Sequence, residues 1–336
     1  MTAGKPATPS YDELRRRTDA PAGSAWGVHG PDDDIGTINF LTPQALVSAA
    51  HAVQRGRIFN LDCALDAFDG LSPHRAPMVH TIHGEARHHS RDDKLDSFYL
   101  QCSSQIDGLR HFRHPVYGFY NFTPTEEVAV GTRRLGIQRL AEHGVAGRGV
   151  LLDVDRYRRA QGAPLDMMAG EAFGPDLLDA VAKSQNITFQ KGDILLIRTG
   201  WLRFYVDEAS EEDRASLAKK IRCPGLIQSH EMVAWIWDNA FSLCATDTPG
   251  VEAVPSVATS PFAAELADVP GVPKTLAAML HPTLIGMLGL SLGEFWALDE
   301  LAEDCAADGR YDFLCIAKPL NLTGGVGSPA NAMAIK

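Results

Sequence analysis

Apolar residues recur at helical spacing in several stretches of the chain. After Thr42-Pro43, an N-cap followed by proline at the first helical position, Leu46, Val47, Ala50 and Val53 define one apolar face, and Gly56 closes the helix. Residues 132–143 predict a second amphipathic helix, with a turn at 144–147. Pro175–Ser184 predicts another, and 228–239 a further one with Met232, Val233, Trp235 and Ile236 facing inward. Between these lie unbroken apolar runs: Val150-Leu151-Leu152 ending at Asp153, and Asp193 to Ile197 closed by Arg198-Thr199-Gly200. Such runs read as short strands buried on both faces. Residues 241–245 and 313–317 are further strand candidates. Strands alternating with helices argue for an α/β fold, although 58–124 is extended and loop-rich.

No linker interrupts the pattern, so residues 1–25 read as a flexible arm with a short helical piece near 11–17, and 26–336 as one domain. Apolar residues at 45% and charged residues at 22% exclude wholesale disorder. The net charge is −11, and no basic block is longer than Arg15-Arg16-Arg17, which argues against nucleic acid or an anionic membrane as partner. No apolar stretch approaches the roughly 18 to 20 residues that span a bilayer. The polar, Pro/Ala-rich start lacks the apolar segment of a secretory signal. The 6 cysteines form no C-x-x-C pair and read as buried thiols of a cytoplasmic protein.

Several motifs fail on inspection. Gly289-Leu290-Ser291-Leu292-Gly293 matches a serine-hydrolase elbow, but the last histidine, His281, precedes Ser291, so the usual chain order cannot be completed. His230-Glu231 opens H-E-x-x-H, yet Ala234 stands where the second ligand must be. Gly324-Gly325-Val326-Gly327 reads as a turn, because little chain remains to build a phosphate-binding helix. His80, His83, His88 and His89 have ligand-like spacing, but charged residues interleave them, and a solvated loop is the simpler expectation.

The segment 98–120 is more informative. Asp107 and His111 are four apart, so a helical turn would place carboxylate and imidazole on one face, as metal-assisted hydrolysis requires. An Asx-turn at Asp107-Gly108 before a buried histidine is the structural alternative. His281, just before Pro282, is expected in extended backbone. Glu294 is a second candidate carboxylate, although Ser291-x-x-Glu294 ahead of Phe295, Leu298, Leu301 and Ala302 also reads as a capping box. Phe112, Tyr117 and Tyr120 are candidates to line a pocket for a planar substrate, or to be core.

Over residues 26–322 the chain resembles the cyclase family of metal-dependent hydrolases, which includes kynurenine formamidases and isatin hydrolases. The resemblance is carried by Trp26-Gly27, Asp34-Ile35-Gly36-Thr37-Ile38-Asn39 and Leu41-Thr42-Pro43. Further on it is carried by residues 147–153, by Gly192-Asp193 through Arg198-Thr199-Gly200-Trp201, and by Asp247, Val251-Glu252, His281, Gly289 and Glu294. Members often carry H-x-G-T-H-x-D-x-P-x-H, in which the first histidines and the aspartate bind metal and the last histidine is the acid/base. By this resemblance Asp107 is a metal ligand, His111 the acid/base, and His281 and Glu294 complete the metal site, with Glu294 also catalytic. Gln101 and Gln105 stand where the two metal-binding histidines would be, as in a longer branch of the family with glutamine before the aspartate.

The resemblance implies a swivelling β/β/α fold, a homodimer or homotetramer, and a divalent Mn or Zn ion held by Gln105, Asp107, His281 and Glu294. The expected activity is hydrolysis of a cyclic amide, lactone or aryl formamide, with water on the metal activated by His111. The expected substrate is a small, aromatic molecule. Two alternatives stay open: a metal-free cyclase, dehydratase or isomerase with His111 as proton shuttle, and a non-catalytic binding protein.

Overall fold

The computed structural model describes residues 8–72, 74–84 and 89–336. Its centre is a nine-stranded mixed sheet. In chain order the strands are β1 (Ile58–Asn60), β2 (Val79–His83), β3 (Asp92–Asp96), β4 (Gln105–Asp107), β5 (Val145–Asp153), β6 (Ala172–Phe173) and β7 (Ile194–Arg198). They continue with β8 (Gly225–Leu226), β9 (Leu243–Thr246), β10 (Ser291–Glu294), β11 (Asp312–Ala317), β12 (Gly327–Pro329) and β13 (Ala332–Ile335). The large sheet runs β1-β13-β11-β5-β7-β9-β10-β4-β12. Its middle, β5-β7-β9-β10, is parallel, and both flanks are antiparallel. β2 and β3 form a separate exposed hairpin, and β6 pairs with β8.

The unbroken apolar runs follow from this arrangement. Side chains alternate across a strand, so a strand covered on both faces needs apolar residues at every position. Val150, Leu152, Leu195 and Ile197 enter one core cluster, while Leu151, Ile194 and Leu196 enter the other. The result is a mixed α/β single-domain fold, as the sequence pattern and the family resemblance imply. Tyr11 and Leu14 of the helix Tyr11–Arg16 are buried in the larger cluster.

Several elements depart from the expected pattern. The helix Pro43–Ala50 has its Thr42 cap and its Pro at the first turn, but Leu46 and Val47 are exposed and only Ala49 is buried. The stretch 132–143 is helical only over Gln138–His143, and 144–147 is largely taken into β5. The helix His230–Asp238 buries Trp237 rather than Trp235 among its tryptophans. All 6 cysteines are free, 4 of them buried. No helix among the described residues is long and apolar enough to cross a membrane.

Just beyond β1, Asp62 Oδ2 accepts the Ala332 N–H at 2.7 Å, and Oδ1 has no partner. Burial pushes this carboxyl up from 3.8 to about 6, against the pull of the Ala332 N–H. A carboxyl whose folded pKa is raised binds its proton more readily in the folded chain, so this group favours folding increasingly as pH falls through about 6 towards 3.8. Above that window the buried charge opposes the fold. Asp62→Asn is therefore expected to exceed the parent in urea stability at alkaline pH by about 1–2 kcal/mol, after allowance for partial solvent screening. The advantage should shrink as pH falls through the window; a gap independent of pH would refute the assignment.

Candidate metal centre

The short strand β4 is the base of the site. All three of its residues are buried, and it lies between β10 and β12. Antiparallel register sets Leu292 opposite Asp107 and Glu294 opposite Gln105, which brings the two distant carboxylates to neighbouring positions. Trp296 Nε1 donates to the Gln105 carbonyl at 2.9 Å and fixes the strand from the β10 side. On the other side, a Cβ on Gly327 would lie 2.9 Å from the Gln101 side chain and from the Ile106 carbonyl. The glycine run thus lets β12 close on β4 next to the site, a packing role in place of a free turn.

Beyond Asp107 the chain makes a tight turn rather than a helix, closed by the His111 N–H on the Gly108 carbonyl at 2.9 Å. The turn brings His111 Nε2 to 3.8 Å from Asp107 Oδ2. His281 approaches the same oxygen from the opposite side of the sequence, with its Nε2 also at 3.8 Å. Its backbone is right-handed helical (φ −48°, ψ −49°) and leads into the π-helical turn Pro282–Met287, in place of the extended backbone expected before proline. Ser291 and Glu294 belong to strand β10, so the local capping code is not used. Glu294 Oε1 lies 3.1 Å from His281 Nε2, and its Oε2 accepts from Gln105 Nε2 at 2.7 Å.

Asp107 Oδ2 is fully buried without a hydrogen-bond partner. The ligand atoms of Asp107, His111 and His281 all lie within 4.8 Å of one another. An orphaned carboxylate oxygen faced by two imidazole nitrogens beyond hydrogen-bonding distance fits a cation between them. This corrects the ligand set and cofactor expected from sequence. Gln105 turns its amide N–H groups towards Glu294 and towards Asp107 Oδ1, at 2.7 and 3.3 Å, and a donor group cannot ligate a cation. Gln101 likewise donates to Asp107 Oδ1. The nitrogen ligands come from His111 and His281, and no glutamine takes a lost histidine's place. One carboxylate and two imidazoles suit a divalent cation, and they do not by themselves select Mn over Zn.

Burial would raise the Asp107 carboxyl, but His111, His281 and Gln101 together hold it below its ordinary value. Burial and the neighbouring His281 hold His111 down, despite Asp107. Burial opposes the charge on His281 too, yet Glu252, Asp107 and Glu294 raise it well above the ordinary range. Burial and the charge of Asp107 push Glu294 up to about 7 against the pull of His281.

Next to this group lies a cavity of about 120 Å³. Gln105 and Glu294, which touch the triad, also line it, with Phe68, Arg75, Tyr99 and Phe295 among the other walls. The aromatic residues singled out in the sequence lie elsewhere. Phe112 packs on the rings of His111 and His281 at 4.6 and 4.9 Å. Tyr117 is exposed, and Tyr120 is buried with its hydroxyl on Asp33 at 2.9 Å.

The Cyclase family model matches residues 38–253. A crystal structure described as that of a novel cyclase is 31% identical, covering 93% of this chain and 99% of its own, with a TM-score of 0.78. The chain belongs to the Cyclase family. Isatin hydrolase A from Ralstonia solanacearum superposes with a TM-score of 0.56 at 16% identity, covering 88% of this chain and 98% of its own. The Labrenzia aggregata enzyme, bound to benzyl benzoate, gives 0.53 at 16% identity, covering 87% and 96%. No curated protein matches the chain.

This Cyclase-family chain carries one further site residue to which no role was given from sequence. Glu252, fully buried, receives the His281 ring at Nδ1 (2.7 Å to Oε2, 2.9 Å to Oε1) and the Leu280 N–H at 2.9 Å. It anchors the imidazole so that Nε2 faces Asp107. A carboxylate set between Val251 and Ala253 in an apolar stretch was the available signal. Glu252→Gln is expected to weaken divalent-metal affinity about 10- to 100-fold in a chelator competition. An unchanged affinity would show that Glu252 only supports the fold.

The remaining motifs are structural. His80 pairs with Asp93 on the exposed hairpin, and His88 lies outside the described residues. His230 bonds Glu265 at 2.7 Å instead of a metal partner. Gly289 has φ +69°, and a Cβ there would stand 2.5 Å from the Tyr120 ring, so it serves packing and not a nucleophile elbow.

Proposed function

We propose that the chain is a metal-dependent hydrolase that opens a cyclic amide or lactone or cleaves an aryl formamide. The observation that carries this is the partnerless Asp107 Oδ2 facing His111 and His281, beside a cavity walled by Glu294. Asp107, His111 and His281 would hold one divalent cation, which when bound supplies a Lewis acid and activates water. Glu252 orients His281 through Nδ1. Glu294, lining the cavity and touching His281, is placed to take a proton from the attacking water and return it to the leaving nitrogen or oxygen. The isatin hydrolases share the fold at 16% identity and leave the substrate to be read from the site.

One contact favours the metal-free alternative, in which His111 shuttles a proton as a cyclase, dehydratase or isomerase would need. Gln101 Nε2 lies 3.2 Å from His111 Nδ1 while also donating to Asp107. A neutral His111 accepting there carries its proton on Nε2, where it is a donor rather than a ligand.

Elemental analysis of protein purified without an affinity metal separates the two. The hydrolase is expected to hold stoichiometric divalent metal. Chelation should abolish acid release from lactam, lactone and formamide panels, and returning the ion should restore it. Hydrolysis that persists in chelator, or His111→Ala protein with full metal content, would overturn the assignment.

A further inference from the structure

The two imidazoles that face Asp107 Oδ2 are prepared differently on their far sides. His281 Nδ1 meets the Glu252 carboxylate, at 2.7 Å from Oε2 and 2.9 Å from Oε1. An ionised carboxylate only accepts, so this ring keeps a proton on Nδ1 and, when neutral, leaves the Nε2 lone pair free on the side of Asp107. His111 has the opposite neighbour. Its Nδ1 lies 3.2 Å from Gln101 Nε2, an amide nitrogen that can only donate.

The orientation of the Gln101 amide is settled by its second contact. The same Nε2 donates to Asp107 Oδ1, and exchanging the amide atoms would set oxygen against oxygen. An amide NH₂ carries two hydrogens, so it serves Asp107 and His111 together. The rest of the residue is held as well. Its carbonyl accepts from Arg75 Nη1, and a Cβ on Gly327 would lie 2.9 Å from Gln101 Cγ and Cδ, so β12 closes directly on the side chain. With Nδ1 accepting, a neutral His111 carries its proton on Nε2, the atom 3.8 Å from Asp107 Oδ2. One imidazole is set as a ligand and the other as a donor.

We propose that Gln101 is a positioning residue that fixes the tautomer of His111 and thereby holds down the affinity of the centre for a divalent cation. This role rests on the assignment of Asp107, His111 and His281 as the metal ligands. For His111 Nε2 to ligate, its proton must leave to solvent while Nδ1 takes one up, and the Gln101 N–H then loses its acceptor. Binding therefore has to displace a hydrogen bond. The same amide also draws on the Asp107 charge that a cation needs. Both effects have one sign, so exchanging Gln101 should strengthen metal binding. A residue that merely supports the ligands gives the opposite result, because removing support loosens them.

Chelator-treated protein labelled with ¹⁵N in its histidines reads the tautomer directly by NMR. At about pH 8, above the ~6.5 of an ordinary imidazole, His111 should show the nitrogen pair of an Nε2–H ring, assigned by its loss in His111→Ala. In Gln101→Glu, whose carboxylate accepts from Nδ1, the pattern should reverse. Chelator competition with Mn²⁺ and Zn²⁺ gives the second readout. Gln101→Glu should bind about 10- to 100-fold more tightly than the parent. Gln101→Met, similar in size and without N–H groups, should gain roughly 3- to 10-fold. An Nδ1–H ring in the parent, or looser binding by both variants when each folds by circular dichroism, would overturn the proposal. If the tautomer reverses in Gln101→Glu but neither parent nor variants take up metal, the hydrolase assignment fails and control of His111 by Gln101 survives. Metal-dependent hydrolysis by a parent whose His111 carries Nδ1–H would do the reverse.

Discussion

Asp107→Asn is expected to empty the metal centre and lower kcat/KM by at least roughly 10³-fold, about 4 kcal/mol of barrier. The side chain is fully buried, and the exchange preserves its volume while removing its charge. Both imidazoles face Oδ2, while Gln101 and Gln105 donate to Oδ1. An asparagine must therefore turn its amide nitrogen to the imidazoles, where a ligating oxygen is needed. Asp107 also helps to raise His281 above its ordinary range and to raise Glu294 to about 7. Elemental analysis and steady-state kinetics on the same preparation check the result, with urea denaturation as the folding control. A variant that keeps its metal and remains within tenfold of the parent in kcat/KM would remove Asp107 from the centre.

What the sequence discloses about this centre depends on whether a residue's role is local or supplied by distant chain. β5 and β7 are legible because burial on both faces writes an unbroken apolar run. Ser291–Glu294 misleads in the other direction. Its capping-box spacing is genuine local code, but pairing with β9 and β4 overrides it and makes Glu294 a strand residue. The stretch 132–143 loses its first half because Ile137 N–H goes to the Gly325 carbonyl at 2.8 Å, and Gln138 folds back on Arg133 and Gly324. His111 and Asp107 stand together as their spacing suggests, through a turn in place of a helix. The glutamines at the expected histidine positions pointed to a substituted ligand set. Only the third dimension shows that their N–H groups serve the carboxylates while His111 and His281 face the shared oxygen.

Arg198→Met is expected to cost about 3–5 kcal/mol of folding stability, the usual penalty for breaking a buried ion pair by removing one partner, even though Arg156 still pairs with Asp153 and Arg159 with Asp155. Arg198 ends β7 and is nearly inaccessible. Its Nη1 donates to Asp153 at 2.8 Å and Asp155 at 3.2 Å, and Nε donates to Asp299 at 2.9 Å. Burial opposes its charge, but Asp153, Asp299 and Asp247 hold the guanidinium protonated far above any working pH. Next to it, Asp247 receives Thr199 N–H and Gly200 N–H at 2.8 and 2.7 Å and so ties the end of β7 to the end of β9. The chain then runs from Asp247 directly to Glu252, the anchor of His281, and Phe295 N–H holds the intervening Thr248 carbonyl at 3.0 Å. Losing Arg198 thus destabilises the fold at the strand ends from which the loop carrying Glu252 departs. Urea denaturation measures the first effect, and metal affinity in the still-folded fraction measures the second. A loss below about 1 kcal/mol would mean that the three aspartates find solvent or other cations without Arg198, and that the strand ends are not held by this network. A full loss of stability with unchanged metal affinity would confine its role to the scaffold and leave Glu252 positioned by the Leu280 and His281 contacts alone.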